Sequence, residues 1–220
     1  MKRLFLIVAA ALSIAACSST RYVAKDVPPI DEMALVLPYS RIYEISKEGE
    51  KYDPVRSAKQ QNKLTQLLFQ MEPRIKGTID VEGARDQEAC DRYIESLRLV
   101  NPRHIEDFPA YSPISGMIEK RGFRYGMIIY SDGFVKDRKL YRKEVLTSLA
   151  VDVAAAILTG GEYYVGADSW LYGSSLYVLV LDVVEDKVVF YNRIDPAERN
   201  PMNSDVLASQ LKRLLKKMGK

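Results

Sequence analysis

Two β-rich runs joined by a short charged connection constrain this chain more than any other feature. The first run covers 176–184 and the second covers 187–194, with Glu185 and Asp186 between them. Branched aliphatic and aromatic residues dominate both runs, so the pattern predicts a β-hairpin with a two-residue connection. The first run is apolar on both faces, which is typical of a strand that is covered on both sides.

Apolar periodicity predicts the elements that precede the hairpin. A continuous apolar run over 33–37 predicts a buried strand. Residues 40–45 either extend this strand or form the segment that follows it. Asp53 and Pro54 suit the N-cap and first position of a helix that runs to Met71. Further along, the pattern predicts a strand over 75–82, helices over 86–100 and 114–120, a loop over 101–113, a strand over 124–130 and a helix over 137–158.

The chain closes with an amphipathic helix that Asn203 or Ser204 caps. Its core-facing stripe consists of Leu207, Leu211, Leu214, Leu215 and Met218. A cluster of basic residues lies near its C-terminus and consists of Lys212, Arg213, Lys216 and Lys217. Their positive charge interacts favourably with the helix dipole and also suits contact with anionic headgroups. Together these patterns predict one globular α/β (α+β) domain over 33–220. We expect a sandwich of two or three layers, whose mixed sheet ends in the hairpin and is followed by this helix.

The start of the chain predicts export. A basic start precedes an apolar run over 4–16, which is too short for the roughly 20 residues of a spanning helix. The motif Ile14-Ala15-Ala16-Cys17 resembles the lipobox of bacterial lipoproteins. The resemblance implies a signal peptide over 1–16 and a Cys17 that carries diacylglyceryl and N-acyl groups. We interpret 17–32 as a lipidated tether; the alternative is a secreted protein with an incidental cysteine.

The residues directly after Cys17 predict the membrane in which the protein is anchored. In that family, an aspartate directly after the cysteine retains the protein in the inner membrane, and here the position holds Ser18. Surface-exported members from the Bacteroidota carry acidic residues there, whereas Ser18 to Arg21 include none. The resemblance therefore implies a lipid-anchored outer-membrane protein that faces the periplasm. As an extended tether, 18–32 would reach at most roughly 45–50 Å.

Charge and reactive residues narrow the functional classes. The formal charge of the 220 residues is +3, and it falls to +1 without Lys2 and Arg3. No nucleic-acid partner is therefore expected. Cys90 is the only cysteine besides Cys17, so no intrachain disulfide is expected, and its helix pattern predicts burial. His104 is the only histidine, and we expect neither a metal site nor a cofactor.

We expect that the chain is not an enzyme. Ser131-Asp132-Gly133 does not match the Gly-x-Ser-x-Gly pattern and is interpreted as a turn after a strand. One alternative is an envelope hydrolase that uses Cys90 and His104, or a carboxylate near Asp152. A periplasmic small-ligand carrier is a third hypothesis.

The hairpin sequence carries a second resemblance. Residues 179–191 read LVLDVVEDKVVFY, similar to the hairpin in the α/β domain of the curli-secretion lipoprotein and of lipoproteins that activate peptidoglycan synthases. The resemblance covers roughly 33–45 and 112–218, and 74–110 has no counterpart. The chain as a whole resembles a Bacteroidota-like envelope lipoprotein of unknown function. The resemblance implies the fold, no active site and, without transmembrane hairpins, no pore.

These observations favour a non-catalytic envelope lipoprotein that binds a protein or cell-wall partner as a tether, adaptor or activator. The candidate surface lies in an aromatic segment before the hairpin and comprises Tyr163, Tyr164, Trp170 and Tyr172. Amphipathic aromatic residues are favoured at recognition surfaces. The alternative is that these side chains only cap the core of the hairpin.

Overall fold

The computed structural model describes residues 21–81, 84–100, 102–108, 113–159, 169–216 and 218. Among these residues, seven strands form one mixed sheet in the order β1-β7-β6-β5-β2-β3, with β4 paired to β2. The strands are Tyr22–Val23 (β1), Met33–Ser46 (β2), Gly49–Tyr52 (β3), Ile75–Ile79 (β4), Tyr125–Lys136 (β5), Tyr172–Asp182 (β6) and Lys187–Ala197 (β7). Strands β4 and β5 pair parallel to β2, and the remaining pairs are antiparallel.

Helices cover both faces of the sheet. They are Pro54–Met71 (α1), Ala84–Leu99 (α2), Pro113–Lys120 (α3), Arg138–Thr159 (α4) and Ser204–Leu215 (α5), with a 3-10 helix over Pro102–Asp107. On β5, Met127 and Ile129 share a core with α1 and α5. Ile128 and Tyr130 point the other way and share a core with α2 and α3. This alternation confirms the predicted α/β sandwich and gives it three layers.

Capping residues start two of these helices where the sequence predicts. The Asp53 carboxylate accepts a hydrogen bond from the Arg56 N–H at 2.9 Å, and Pro54 follows it. Of the two candidate caps of α5, Asn203 has this role, since its side chain accepts from the N–H groups of Asp205 and Val206. Both caps satisfy N–H groups that have no partner inside the helix.

Strand registers define two ends of the sheet. At the hairpin end, Tyr125 lies opposite Asp182; at the other end, Val135 lies opposite Tyr172. We call this second end the α4 end, because α4 begins at Arg138 directly beyond β5. Helix α4 packs extensively against none of the other described elements. Within the described residues, no helix has the length and apolar character needed to cross a membrane.

The hairpin is confirmed, but its connection is four residues, 183–186, rather than two. Asp182 explains the difference, because its Oδ1 accepts hydrogen bonds from the N–H groups of Val184 (3.1 Å) and Glu185 (3.2 Å). Asp186 completes the turn with a φ of +48°. An aspartate that accepts from the backbone two residues on forms a turn of its own.

Two local predictions are wrong. Residues 131–133, expected to form a turn, lie inside β5, because they pair with β2 on one side and β6 on the other. The expected loop over 101–113 contains the 3-10 helix, whose Ile105 is fully buried. In both places, contacts with distant parts of the chain outweigh local turn propensity.

Part of the expected tether packs against the domain. Strand β1 pairs with β7, and the Ala24 N–H donates to the Val189 carbonyl at 3.0 Å. Ala24, Val27 and Ile30 then pack against the core beneath α1 and α5. The interpretation of 17–32 as an extended tether is therefore wrong for residues 22–30.

Candidate partner-binding surface

Two of the four predicted partner-binding aromatic residues, Trp170 and Tyr172, are described. Both are half-buried and lie at the α4 end, where the chain enters β6. Tyr163 and Tyr164 lie outside the described residues, as does the expected lipidation site Cys17.

Hydrogen bonds fix segment 169–172 to α4 and β5. The Ser169 hydroxyl donates to Glu144 Oε2 at 2.8 Å, and the Lys136 N–H donates to the Leu171 carbonyl at 2.9 Å. Lys136 Nζ also donates to Glu144 Oε2 at 2.5 Å. The hydrogen bonds from Lys136 and then Ser169 lower the pKa of Glu144. An ionised Glu144 therefore joins α4, β5 and the aromatic segment.

Tyr172 lines a charged groove with a volume of about 290 Å³. The other lining residues are Glu44, Arg56, Val135, Lys136, Asp137 and Arg138. Arg56 pairs with Asp53 at 2.9 Å, and Lys136 pairs with Glu144. Arg138 makes no ion pair with any described residue, so its charge is available to an acidic or amide group of a partner.

A second concavity of about 300 Å³ lies at the same end of the sheet. It is lined by Tyr43, Ile45, Glu50, Asp132, Gly133, Phe134, Gly173, Ser174, Ser175 and Pro196. The Phe134 ring lies across Gly173, where a Cβ would come within 2.2 Å of a ring carbon. Glycine is therefore required at 173 for this aromatic side chain to cover the strand. The mixed polar and aromatic lining suits a small polar ligand.

Sequence reasoning missed a cluster of charged and aromatic side chains between β2 and α2. The Tyr39 hydroxyl donates to Asp91 Oδ1, and Arg41 pairs with both Asp91 and Glu95. Tyr39 also lies 6.1 Å, ring to ring, from Tyr130. Burial and the neighbouring Glu95 raise the pKa of Asp91. The available signal was the i, i+4 spacing of Asp91 and Glu95 beside the apolar face of α2.

Cys90 and His104 occupy different environments. Cys90 is 2% exposed and packs in the core beneath α2, whereas the His104 side chain is 69% exposed. His104 Nδ1 lies 4.0 Å from Asp107 Oδ2. Asp152 belongs to α4, and its side chain lies outside the described residues. Among the described residues, no group of three His, Cys, Asp or Glu side chains is placed to hold a metal ion.

Comparison with known proteins gives structural similarities with low TM-scores. No family model matches the chain, and no curated protein matches it in sequence. Two crystal forms of a PelC dodecamer from Paraburkholderia phytofirmans align with TM-scores of 0.37 and 0.35 at 10% and 12% identity. Each alignment covers 91% of this chain and 97% of that chain. The LpoB C-terminal domain from Salmonella enterica aligns with a TM-score of 0.32 at 10% identity, over 80% of this chain and 88% of that chain.

Proposed function

We propose that this chain is a non-catalytic lipoprotein of the outer membrane that faces the periplasm and binds a protein or cell-wall partner. Its anchor is Cys17, the last residue of the lipobox-like motif in the sequence. Two or three acyl chains hold a protein on a membrane stably, whereas one chain does so only marginally. The role that follows is that of an adaptor or assembly component held at the membrane.

The proposed partner site rests on one observation: the segment that contains Trp170 and Tyr172 is held by hydrogen bonds at the α4 end. Hydrogen bonds from the Ser169 hydroxyl and to the Leu171 carbonyl hold the chain on both sides of Trp170. A segment whose backbone is already held loses less conformational freedom on binding, which favours affinity. The charged groove beside Tyr172 supplies polar groups at the rim of such a surface.

Crosslinking in intact cells tests the partner site. Trp170→Ala combined with Tyr172→Ala should remove a crosslinked partner that the unchanged protein retains. The matched control is Phe69→Ala, which removes an exposed aromatic side chain, 44% exposed, from α1. Far-UV circular dichroism checks that both proteins fold. A folded double variant with every crosslinked partner unchanged would contradict the proposed site.

Fractionation tests the anchor separately. Cys17→Ala should move the protein from the membrane fraction to the soluble fraction and should abolish incorporation of labelled palmitate. A Cys17→Ala protein that still fractionates with the outer membrane would overturn the lipid anchor, whatever the crosslinking shows.

The concavity at the α4 end favours a small-ligand carrier as the second candidate. Asp132 and Ser175 provide polar groups there, and Tyr43 and Phe134 provide aromatic faces. A bulky residue at Ser175 would fill this space and should abolish binding of a small polar ligand without releasing the protein partner. Retained ligand binding by a folded Ser175→Phe protein would exclude this concavity as the site.

A further inference from the structure

One face of α4 carries positive charge that no described residue neutralises. Lys139, Arg142 and Lys143 are exposed and recur at three- and four-residue spacing, so they share a face with Leu146. Leu146 is 68% exposed. Within the described part of the chain, none of the three cations makes an ion pair. The face therefore combines an unpaired positive charge with an exposed apolar side chain.

The second half of α4 is apolar in sequence. Residues 149–158 are all apolar except Asp152. Basic residues in its first half make the helix unsuited to crossing a bilayer, and it packs extensively against no other described element. A helix that carries basic and apolar residues and packs extensively against no other described element is suited to the interface between headgroups and acyl chains.

The direction of β1 brings the expected anchor toward the same end of the sheet. Tyr22 pairs with Tyr191 and Val23 with Phe190 in an antiparallel register. The chain before Tyr22 therefore leads toward the carboxyl end of β7, which lies at the α4 end. Cys17 precedes Tyr22 by five residues, which span at most about 18 Å when extended. Tyr191 lies six residues, or about 20 Å, before the end of β7. When extended, this stretch therefore brings Cys17 level with the α4 end, so that this end of the sheet lies beside the surface that the acyl chains enter.

We propose that α4 lies on an anionic phospholipid surface, with Lys139, Arg142 and Lys143 facing the headgroups. The inference rests on the proposed function, because Cys17 supplies the membrane on which α4 would lie. Acyl chains provide attachment, and the basic face fixes the orientation of the domain. In this orientation Trp170 and Tyr172 are close to the membrane, so their partner is an envelope component held at the same surface.

Reconstitution of the lipidated full-length protein into vesicles tests the contact. One vesicle type contains phosphatidylcholine alone, and the other also contains phosphatidylglycerol; both carry a headgroup-attached nitroxide quencher. An environment-sensitive fluorophore is attached at Leu146→Cys on α4 or, for comparison, at Lys216→Cys beyond α5. We expect at least about tenfold stronger quenching at 146 than at 216 in the anionic vesicles, since headgroup attraction acts only close to the surface. This difference should shrink in high salt.

Charge reversal on two helices completes the test. Lys139→Glu, Arg142→Glu and Lys143→Glu together should abolish the quenching at 146. The matched control reverses Lys212, Arg213 and Lys216, which are exposed near the end of α5, and should leave it unchanged. Equal quenching at 146 and 216, or quenching that survives the reversal on α4, would overturn the inference.

Vesicle retention separates failure of the anchor from failure of the α4 contact. Retention by phosphatidylcholine vesicles depends on the acyl chains alone. A protein that these vesicles do not retain, but that sediments with anionic vesicles through α4, would refute the anchor and support the contact. A protein retained by both vesicle types without selective quenching at 146 would support the anchor and refute the contact.

Discussion

Replacement of Gly126 by alanine is the sharpest test of how α3 packs on the sheet. A Cβ at Gly126 would lie 2.1 Å from Cδ1 and 2.7 Å from Cγ1 of Ile118, a side chain that is fully buried. Carbon atoms in contact normally lie about 3.5–4.0 Å apart, so Ile118 or β5 must shift. Such overpacking costs roughly 1–3 kcal/mol. The lower entropy of alanine in the unfolded chain offsets about 0.4–1 kcal/mol of this cost.

We therefore expect Gly126→Ala to lower the free energy of unfolding by roughly 1–2 kcal/mol, measured by urea denaturation. Ile118→Ala alone should cost roughly 2–5 kcal/mol because it leaves a cavity. In the double variant, the new methyl group occupies part of that cavity, so the combined cost should be at least about 1 kcal/mol below the sum. Additive costs, within about 0.5 kcal/mol, would refute the contact between positions 126 and 118.

Gly116 provides the matched control on the same helix. It lies in α3, and a Cβ there would have no heavy atom within 4 Å apart from those of its chain neighbours and of the backbone of its own helix. Gly116→Ala should raise the free energy of unfolding by roughly 0.5–1 kcal/mol, because glycine loses more backbone freedom than alanine in a helix. Destabilisation by this substitution would show that α3 packs differently from the arrangement described.

Three further predictions concern polar groups. Burial opposes ionisation of Asp182, but hydrogen bonds from Arg124 and the turn backbone lower its pKa overall; its stabilising contribution is present above the unfolded pKa of about 3.9 and is lost as pH falls through the folded value. Asp182→Asn should therefore flatten the acid dependence of urea unfolding, and an unchanged dependence would contradict this role. Asn203→Ala should lower the free energy of unfolding, measured by thermal denaturation, by about 1 kcal/mol, whereas Asn203→Ser should retain most of the stability of the unchanged protein. The Gln60 side chain accepts a hydrogen bond from the Ser40 hydroxyl and donates one to the Pro201 carbonyl at 2.8 Å. Gln60→Ala should lower the free energy of unfolding, measured by urea denaturation, by roughly 1–3 kcal/mol, and a smaller loss would show that these groups find other partners.

Periodicity predicted the layers because each apolar face must be buried. The stripe of α5 is an example, since Leu207, Leu211 and Leu214 are all fully buried. The run over 33–37 likewise becomes part of a strand with neighbours on both sides, and 40–45 extends it. The pattern was less informative for α1, where polar Ser57 and Gln60 are buried and apolar Val55 is 76% exposed. Hydrogen bonds to β2 explain that exception.

Sequence patterns gave wrong or missing predictions where a segment pairs or packs with a distant part of the chain. Residues 131–133 have turn-forming types, yet pairing on both sides keeps them extended. Strand β1 is too short to show a period, and its place in the sheet comes from β7, far along the chain. The cluster of Tyr39, Arg41 and Asp91 joins β2 to α2 in the same way. The local sequence shows the apolar periodicity of one helix or strand, but it does not show which other element packs or pairs with it.

Strand order and direction account for the arrangement at the α4 end. Sequence reasoning treated the anchor, the long helix and the aromatic segment as separate features. The pairing of β1 with β7, and of β5 with β6, brings the approach of the chain, the start of α4 and Tyr172 to one end of the sheet. A one-residue slip in β1 would turn Tyr22 to the other face without changing this end, because strand direction alone determines it. The proposed orientation on a membrane therefore depends on strand order and direction, which are properties of the core.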